Sequence, residues 1–208
     1  MRRQAKSRMT RRTDPFDWSG GHPALDLVNT LDERPSDTPI ENLTTYDAFV
    51  SFTELAGLIE PSAAKRLRSF NGVACTRVAR RARELREHLY TILAAIHDGR
   101  SVPQDPLNAI AVEVRRAHAA RAFTSTGISS AIRYRWRVPN SPEVPLHACA
   151  LAIEALLLAA DRSRVRKCGA TDCEVYFIDT SKAHRRQWCS MKNCGNREKQ
   201  RRWRSVTE

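Results

Sequence analysis

The chain has no hydrophobic run long enough to span a membrane. Its most apolar stretch, Leu146 to Ala160 (LHACALAIEALLLAA), is about 15 residues and contains His147 and Glu154, whereas a bilayer span takes about 20 apolar residues. A buried helix of a soluble protein with no membrane partner is therefore expected. The opening MRRQAKSRMTRRTDPFDW has paired arginines but no apolar segment of secretory length, so the expected compartment is cytoplasmic. There the six cysteines argue for metal or free thiols rather than disulfides. No nucleophile motif and no phosphate-cradling glycine loop occurs, which argues against an enzyme. No collagen-like or low-complexity tract appears, and with 41% apolar residues the chain can bury a core.

Charge is present but unevenly spread. Residues 162–204 hold 13 Lys/Arg against 4 Asp/Glu, and residues 1–13 hold 6 Lys/Arg with no acid. Residues 14–161 are close to balance, 16 basic against 18 acidic. A near-neutral middle flanked by basic ends favours a polyanionic partner for the ends. Solubility alone would spread the charge more evenly.

Periodicity predicts a mainly α (α+β) fold: a helical N-terminal domain over 16–163 with a small β-hairpin, a four-cysteine module over 164–208, and a basic disordered arm over 1–15. Helical spacing of Ala24, Leu25, Leu27, Val28 and Leu31 opens the domain, and a polar loop follows. Thr45 or Asp47 caps a short helix whose stripe is Phe49, Phe52 and Leu55, and Gly57 and Pro61 end it. The clearest helix spans Val73 to Asp98, with its arginines expected on the outer face. Another covers Pro106 to Ala120. The period then drops to two. Ile132, Tyr134, Trp136 and Val138 alternate with Arg133, Arg135 and Arg137, predicting a half-buried strand paired with 122–130 through a turn near Gly127. Its arginine face fits either a solvated surface paired with nearby acids or a phosphate site. Pro145–Ser163 reads as a central helix.

Two C-x4-C knuckles, Cys168/Cys173 and Cys189/Cys194, stand fifteen residues apart. Each presents two sulfurs on one side of an ion, which suits a tetrahedral four-thiolate site for one structural Zn2+. A filled shell leaves no open position for substrate. Spacing alone also fits an iron–sulfur cluster, although charge and small size favour zinc. A redox pair would more often be C-x2-C. His184 lies between the knuckles as a substitute ligand, while Cys75 and Cys149 read as core thiols. Between the knuckles Val175–Ile178 reads as a strand, Asp179, Thr180 and Ser181 as a turn, and Phe177 and Trp188 as a small apolar core. Gly195 is expected to make a sharp exit and Asn196 to cap a helix Arg197–Arg204. On that helix Arg197, Arg201 and Arg204 share a face, flanked by Lys199, Arg202 and Trp203.

A zinc module carrying a basic helix can set arginines on phosphates and base edges. The candidate nucleic-acid residues are Arg185, Arg186, Arg197, Lys199, Arg201, Arg202 and Arg204, with duplex DNA favoured. Trp203 keeps RNA open as an alternative, and an acidic protein is a further one.

The stretch CGATDCEVYFIDTSKAHRRQWCSMKNCGNREKQRRWR resembles the CGNR zinc finger, whose tetrapeptide stands here as Cys194-Gly195-Asn196-Arg197. Upstream, Ala24-Leu25-Asp26-Leu27-Val28-Asn29-Thr30, the Leu85–Gly99 helix and Tyr134-Arg135-Trp136 resemble the helical ABATE domain that commonly precedes this finger. The resemblance covers about residues 16–204. It implies a transcription regulator, sometimes described as stress-induced, with the finger on DNA and the ABATE portion a ligand-sensing or stress-response module; the helical domain is expected to sense a small-molecule effector or to mediate a homodimer. By matching positions Cys168, Cys173, Cys189 and Cys194 take the metal-ligand role. Gln187 stands where another basic residue is expected, and Trp203 is bulkier than usual. Asp26 and Asn29, polar members of the N-terminal signature, either line a ligand pocket with His22 and Glu154 or bond the neighbouring backbone. An enzyme using Asp26, His22 or Glu154 as acid or base is the remaining alternative.

Overall fold

The computed structural model describes residues 14–126, 131–160 and 162–206. The expected arm up to residue 13 and the turn near Gly127 lie outside the described residues. The order is α1 (Pro23–Val28), β1 (Leu31–Asp32), β2 (Ile40–Glu41), α2 (Tyr46–Leu55), α3 (Pro61–Leu67), α4 (Val73–His97), α5 (Gln104–Ala119), β3 (Arg121–Thr126), β4 (Ala131–Trp136), α6 (Val144–Leu158), β5 (Val165–Lys167), β6 (Tyr176–Ile178) and α7 (Asn196–Val206). The strands form three antiparallel two-stranded ladders, β1–β2, β3–β4 and β5–β6. The fold is thus mainly helical with small hairpin sheets. Among the described residues no helix is long and apolar enough to cross a membrane.

Helix α6 is apolar on nearly every side and packs against α1, α2, α4 and α5. It buries Leu146, Ala150, Ile153 and Leu156 and ends at Leu158, short of the expected Ser163. A 3-10 turn, Arg162–Arg164, follows. Thr45 caps α2 by accepting the Ala48 N–H. Phe49 and Phe52 are fully buried, but Leu55 is 55% exposed; Tyr46, Val50 and Thr53 supply the rest of the inner face. Phe52 stacks on Trp18 at 5.6 Å and meets Phe16 edge-on at 5.4 Å, so the segment before α1 belongs to this core. Pro61 does not end α2, which stops at Leu55. It occupies the first turn of α3, a position that needs no N–H donor.

Two expectations about charge and burial are corrected. The arginines of α4 do not all face outward: Arg86 is 3% exposed. It donates to Glu41 through both terminal nitrogens at 2.7 Å, and to Glu87 and Thr30 at 2.8 and 3.2 Å. A guanidinium can be buried when its donors are matched in this way. The polar loop after α1 supplies this partner, because Glu41 sits on the short β1–β2 ladder. The hairpin β3–β4 is not half-buried. Phe123, Ile132 and Tyr134 are 67%, 70% and 51% exposed, and only Trp136 at its base packs against the core. Among the described residues nothing is laid over these two strands, so both faces are wet.

The decisive element is β6, where side chains alternate between two cores. Tyr176 is fully buried in the core of the helical domain, with Ile178 packed beside it. Phe177, pointing the other way, is fully buried among Cys168, Ala170, Cys189 and Cys194. One short ladder therefore serves as the common wall of both units.

Candidate metal centre and nucleic-acid face

The first knuckle is folded by the β5–β6 ladder, which pairs Val165 with Ile178, Arg166 with Phe177 and Lys167 with Tyr176. The Cys168 N–H continues it by donating to Val175 O at 2.9 Å, and the Cys173 N–H closes the knuckle on Ala170 O at 3.1 Å. Asp179, fully enclosed, receives the N–H groups of Ser181 and Arg186 at 2.9 Å each. The Ser181 hydroxyl beside it, with these N–H groups, holds its carboxyl down at about 2. The loop is thereby drawn back so that the second knuckle faces the first.

The second knuckle is not followed by a break. Residues Met191–Gly195 form a π-helical turn continuous with α7, and the cap is Ser190, whose hydroxyl accepts the Asn193 N–H. Asn196 is already helical, at φ −68° and ψ −39°, and its Nδ2 donates back to Lys192 O at 3.2 Å. Both expected turn residues are thus reassigned. Gly195 lies within the turn, where a Cβ would stand 2.9 Å from the end of the flexible Met191 side chain. The knuckle is the first turn of the basic helix, so the sulfurs fix where that helix points.

The four Sγ atoms of Cys168, Cys173, Cys189 and Cys194 lie within 4.8 Å of one another. Cys173 and Cys189 are 3.9 Å apart, and Cys189 and Cys194 3.5 Å. Four sulfurs at about 2.3 Å from a zinc ion stand about 3.8 Å apart in a tetrahedron, so the cluster fits one structural Zn2+. A donor set this crowded ionises fully only around a cation. The outer shell is also in place: the Cys189 N–H lies 3.4 Å from Cys168 Sγ, and Arg197 Nη2 lies 3.3 Å from Cys194 Sγ. Such contacts orient thiolates and offset their charge. His184 is exposed and outside the cluster. Cys149 is a core thiol pushed far up by burial, and Cys75 is buried as well.

Family models match the two units in turn. Residues 21–161 match ABATE, described as "Putative stress-induced transcription regulator". The chain belongs to the ABATE family. Residues 164–205 match the CGNR zinc finger, so the four-sulfur cluster is the metal site of a known finger type. Compared with the curated proteins, the chain has no match.

The candidate cations of the CGNR finger divide into two groups. Arg186 lies 4.4 Å over the Phe177 ring and donates to Trp188 O at 2.9 Å and to Cys189 O. It supports the second knuckle. Arg197 and Arg201 reach Asp172 on the first knuckle at 2.8 and 3.4 Å, and Arg201 also meets Glu198 at 2.5 Å. These two tie α7 across the metal site. Arg185, Lys199, Arg202 and Arg204 are exposed. Lys199 and Arg204 join Gln200 and Trp203 around a shallow hollow of about 430 Å3, and Trp203 is 79% exposed.

The candidate pocket residues of the ABATE unit are not gathered at one cavity. His22 Nδ1 caps α1 on the Ala24 N–H at 3.2 Å. Glu154 pairs with His118 of α5 at 2.8 Å. Asn29 spans the two units: its Nδ2 donates to Tyr176 O at 2.9 Å and its Oδ1 accepts the Tyr176 N–H at 3.0 Å. Next along the same edge, Gly20 O accepts the Ile178 N–H at 2.9 Å. The carboxamide thus stands where a third strand would bond, and it covers an edge that would otherwise be open. Around this seam Tyr90 donates to Glu174, Lys167 meets Glu174 at 2.8 Å, and Arg34 lies 4.1 Å over the Tyr90 ring. Nothing local in the sequence pairs position 29 with position 176. The only hint was a polar residue amid apolar ones.

Asp26 is 7% exposed and accepts the Gly20 N–H at 3.0 Å. A Cβ at Gly20 would lie 2.6 Å from Asp26 Oδ1, so only glycine allows this approach. Burial raises the Asp26 carboxyl to about 7, against the lowering pull of that N–H, and Asp17 adds to the rise. With a folded value near 7 and an unfolded value of 3.8, the native state holds the extra proton between them. Stability then falls as pH rises from about 4 to about 7 and levels off above. Asp26→Asn keeps an acceptor for Gly20 and removes that slope, which melting temperatures across this pH range will show.

Proposed function

We propose that this ABATE-family protein is a DNA-binding transcription regulator, not an enzyme, in which the zinc-fixed helix α7 carries Lys199, Arg202 and Arg204, with Arg185 of the loop between the knuckles, to the phosphates of duplex DNA. The observation that carries this reading is the join between metal and helix: the second knuckle runs into α7 without a break. The sulfurs therefore orient a strongly basic helix, in a segment of 13 basic and 4 acidic residues. Phosphate contact is the first role of such a surface, with base reading secondary. The closed four-thiolate shell offers no position for substrate, which supports a structural metal. The family description supports regulation. The helical unit is read as the regulatory input, through an effector or a homodimer. Direct binding of an effector by Asp26 and Asn29 has less support, because both are committed to backbone groups. The exposed Trp203 beside Lys199 and Arg204 favours single-stranded RNA as a second reading, through base stacking.

The test is a comparison of duplex DNA binding by the zinc-loaded chain and a variant carrying Arg185→Gln, Lys199→Gln, Arg202→Gln and Arg204→Gln. Each lost phosphate contact should flatten the log affinity against log salt line by about 0.9. Unchanged affinity and slope would reject the reading. Preference for single-stranded RNA, lost in Trp203→Ala, would favour the second.

A further inference from the structure

The β3–β4 hairpin is a ribbon with two unlike faces. Directly paired residues share a face, so Phe123 with Tyr134, Ser125 with Ile132 and Arg121 with Trp136 lie on one side. On that side the Phe123 and Tyr134 rings stack at 4.2 Å, and the Arg121 guanidinium lies 4.1 Å over Tyr134. Two isolated strands are marginal in water; this cross-strand aromatic pair stiffens them.

The other face carries Arg133 opposite Thr124 and Arg135 opposite Ala122. Arg137 follows, its N–H extending the ladder to Ala120 O at 2.8 Å. All three arginines are exposed. Residues 121–126 and 131–137 include no acid, and the side chains of Arg133, Arg135 and Arg137 make no hydrogen bond or ion pair with any described residue. This differs from Arg34, Arg68, Arg81 and Arg86 of the helical unit, each of which meets a carboxylate. The expectation that nearby acids would pair the face is therefore not met among the described residues. Three aligned, unmatched guanidiniums call for an anionic partner from outside the chain.

We propose that this arginine face is a second duplex-DNA contact surface, separate from α7, that grips the phosphodiester backbone. The proposal rests on the reading that the chain binds DNA and adds a second point of attachment to it. Alternate strand positions are about 6.8 Å apart, twice the ~3.4 Å rise per nucleotide along one DNA strand. Successive arginines thus keep step with every second phosphate level. A two-stranded ribbon also fits the major groove, about 12 Å wide. An acidic protein would need no such regular spacing.

The experiment measures binding of a mixed-sequence duplex by fluorescence anisotropy across a salt series. It uses the full zinc-loaded chain, the variant Arg133→Gln, Arg135→Gln, Arg137→Gln, and the α7 variant Lys199→Gln, Arg202→Gln, Arg204→Gln. All six positions are exposed, and circular dichroism with zinc content confirms the fold. The expected result is a hairpin variant whose salt slope falls by about 0.9 for each arginine that meets a phosphate, with affinity at least tenfold weaker at moderate salt. Overturning results are distinct. A hairpin variant equal to the unsubstituted chain, while the α7 variant is weakened, removes the second surface and leaves the finger reading standing. No duplex binding by the unsubstituted chain removes both. A hairpin variant that keeps DNA binding but loses binding to polyglutamate assigns the face to an acidic protein instead.

Discussion

Stripping the metal lowers the melting temperature of the helical unit as well as unfolding the finger. Structural zinc contributes roughly 10–16 kcal/mol in finger peptides, far more than the five buried residues of the small core around Phe177 can replace. The wider effect follows from β6. When the knuckles open, Tyr176 loses its anchor, and Tyr176 is 1% exposed within the helical core, edge-on to Tyr90 at 5.9 Å. Withdrawing a large aromatic from a core costs about 3–5 kcal/mol. In a chain of this size that is about 10 °C in melting temperature. Cys189→Ser should reproduce the effect of a chelator. Circular dichroism melts with and without chelator, read beside hydrogen exchange in α1 and α6, provide the check. A helical unit that melts at an unchanged temperature after metal loss would show that the shared wall carries no energy.

Asn29→Ala should be nearly as damaging, although no metal ligand is touched. It leaves the N–H and C=O of Tyr176 buried with no partner across the seam. An unsatisfied buried group costs about 1–3 kcal/mol, so the pair together costs about 2–6 kcal/mol and lowers the melting temperature by about 10 °C. Asn29→Asp discriminates between bonding and packing. It keeps the shape and one acceptor but loses the donor to Tyr176 O, so it should be no milder than alanine. Both variants should release zinc faster to a chromophoric chelator, because the finger has lost the support at its outer edge. Wild-type release rates from a destabilised Asn29→Ala would confine the carboxamide to the helical unit.

What the sequence made legible follows from the range over which each signal acts. The two C-x4-C knuckles need only local spacing, and their sulfurs meet as expected. Helix α4 carries its apolar positions in steps of three and four, and its limits, Val73–His97, lie within a residue of the expected ones. The period-two pattern located β4 but not its burial, because alternation shows that a face is apolar, not that anything covers it. Pro61 was read as a stop when it starts α3, since a proline serves both purposes. Asn196 looked like a cap, yet Ser190 six residues earlier is the cap and the helix runs through the knuckle. The partners of Arg86 and Asn29 are not legible for one shared reason. These, Glu41 and Tyr176, lie 45 and 147 residues away, and no local pattern encodes such pairs. The basic residues of the finger were found as a group, but only the folded chain separates Arg186, Arg197 and Arg201, which brace the metal site, from those left facing outward.

The most direct test of the whole account is a zinc titration of metal-free chain, with duplex DNA anisotropy and a thermal melt recorded at each point. Both signals should saturate together at one zinc per chain, with duplex binding much weaker before metal is added and, once restored, weakened steeply by salt. Full duplex binding by the metal-free chain, or a one-zinc, fully folded chain that ignores duplex DNA at low salt, would contradict it.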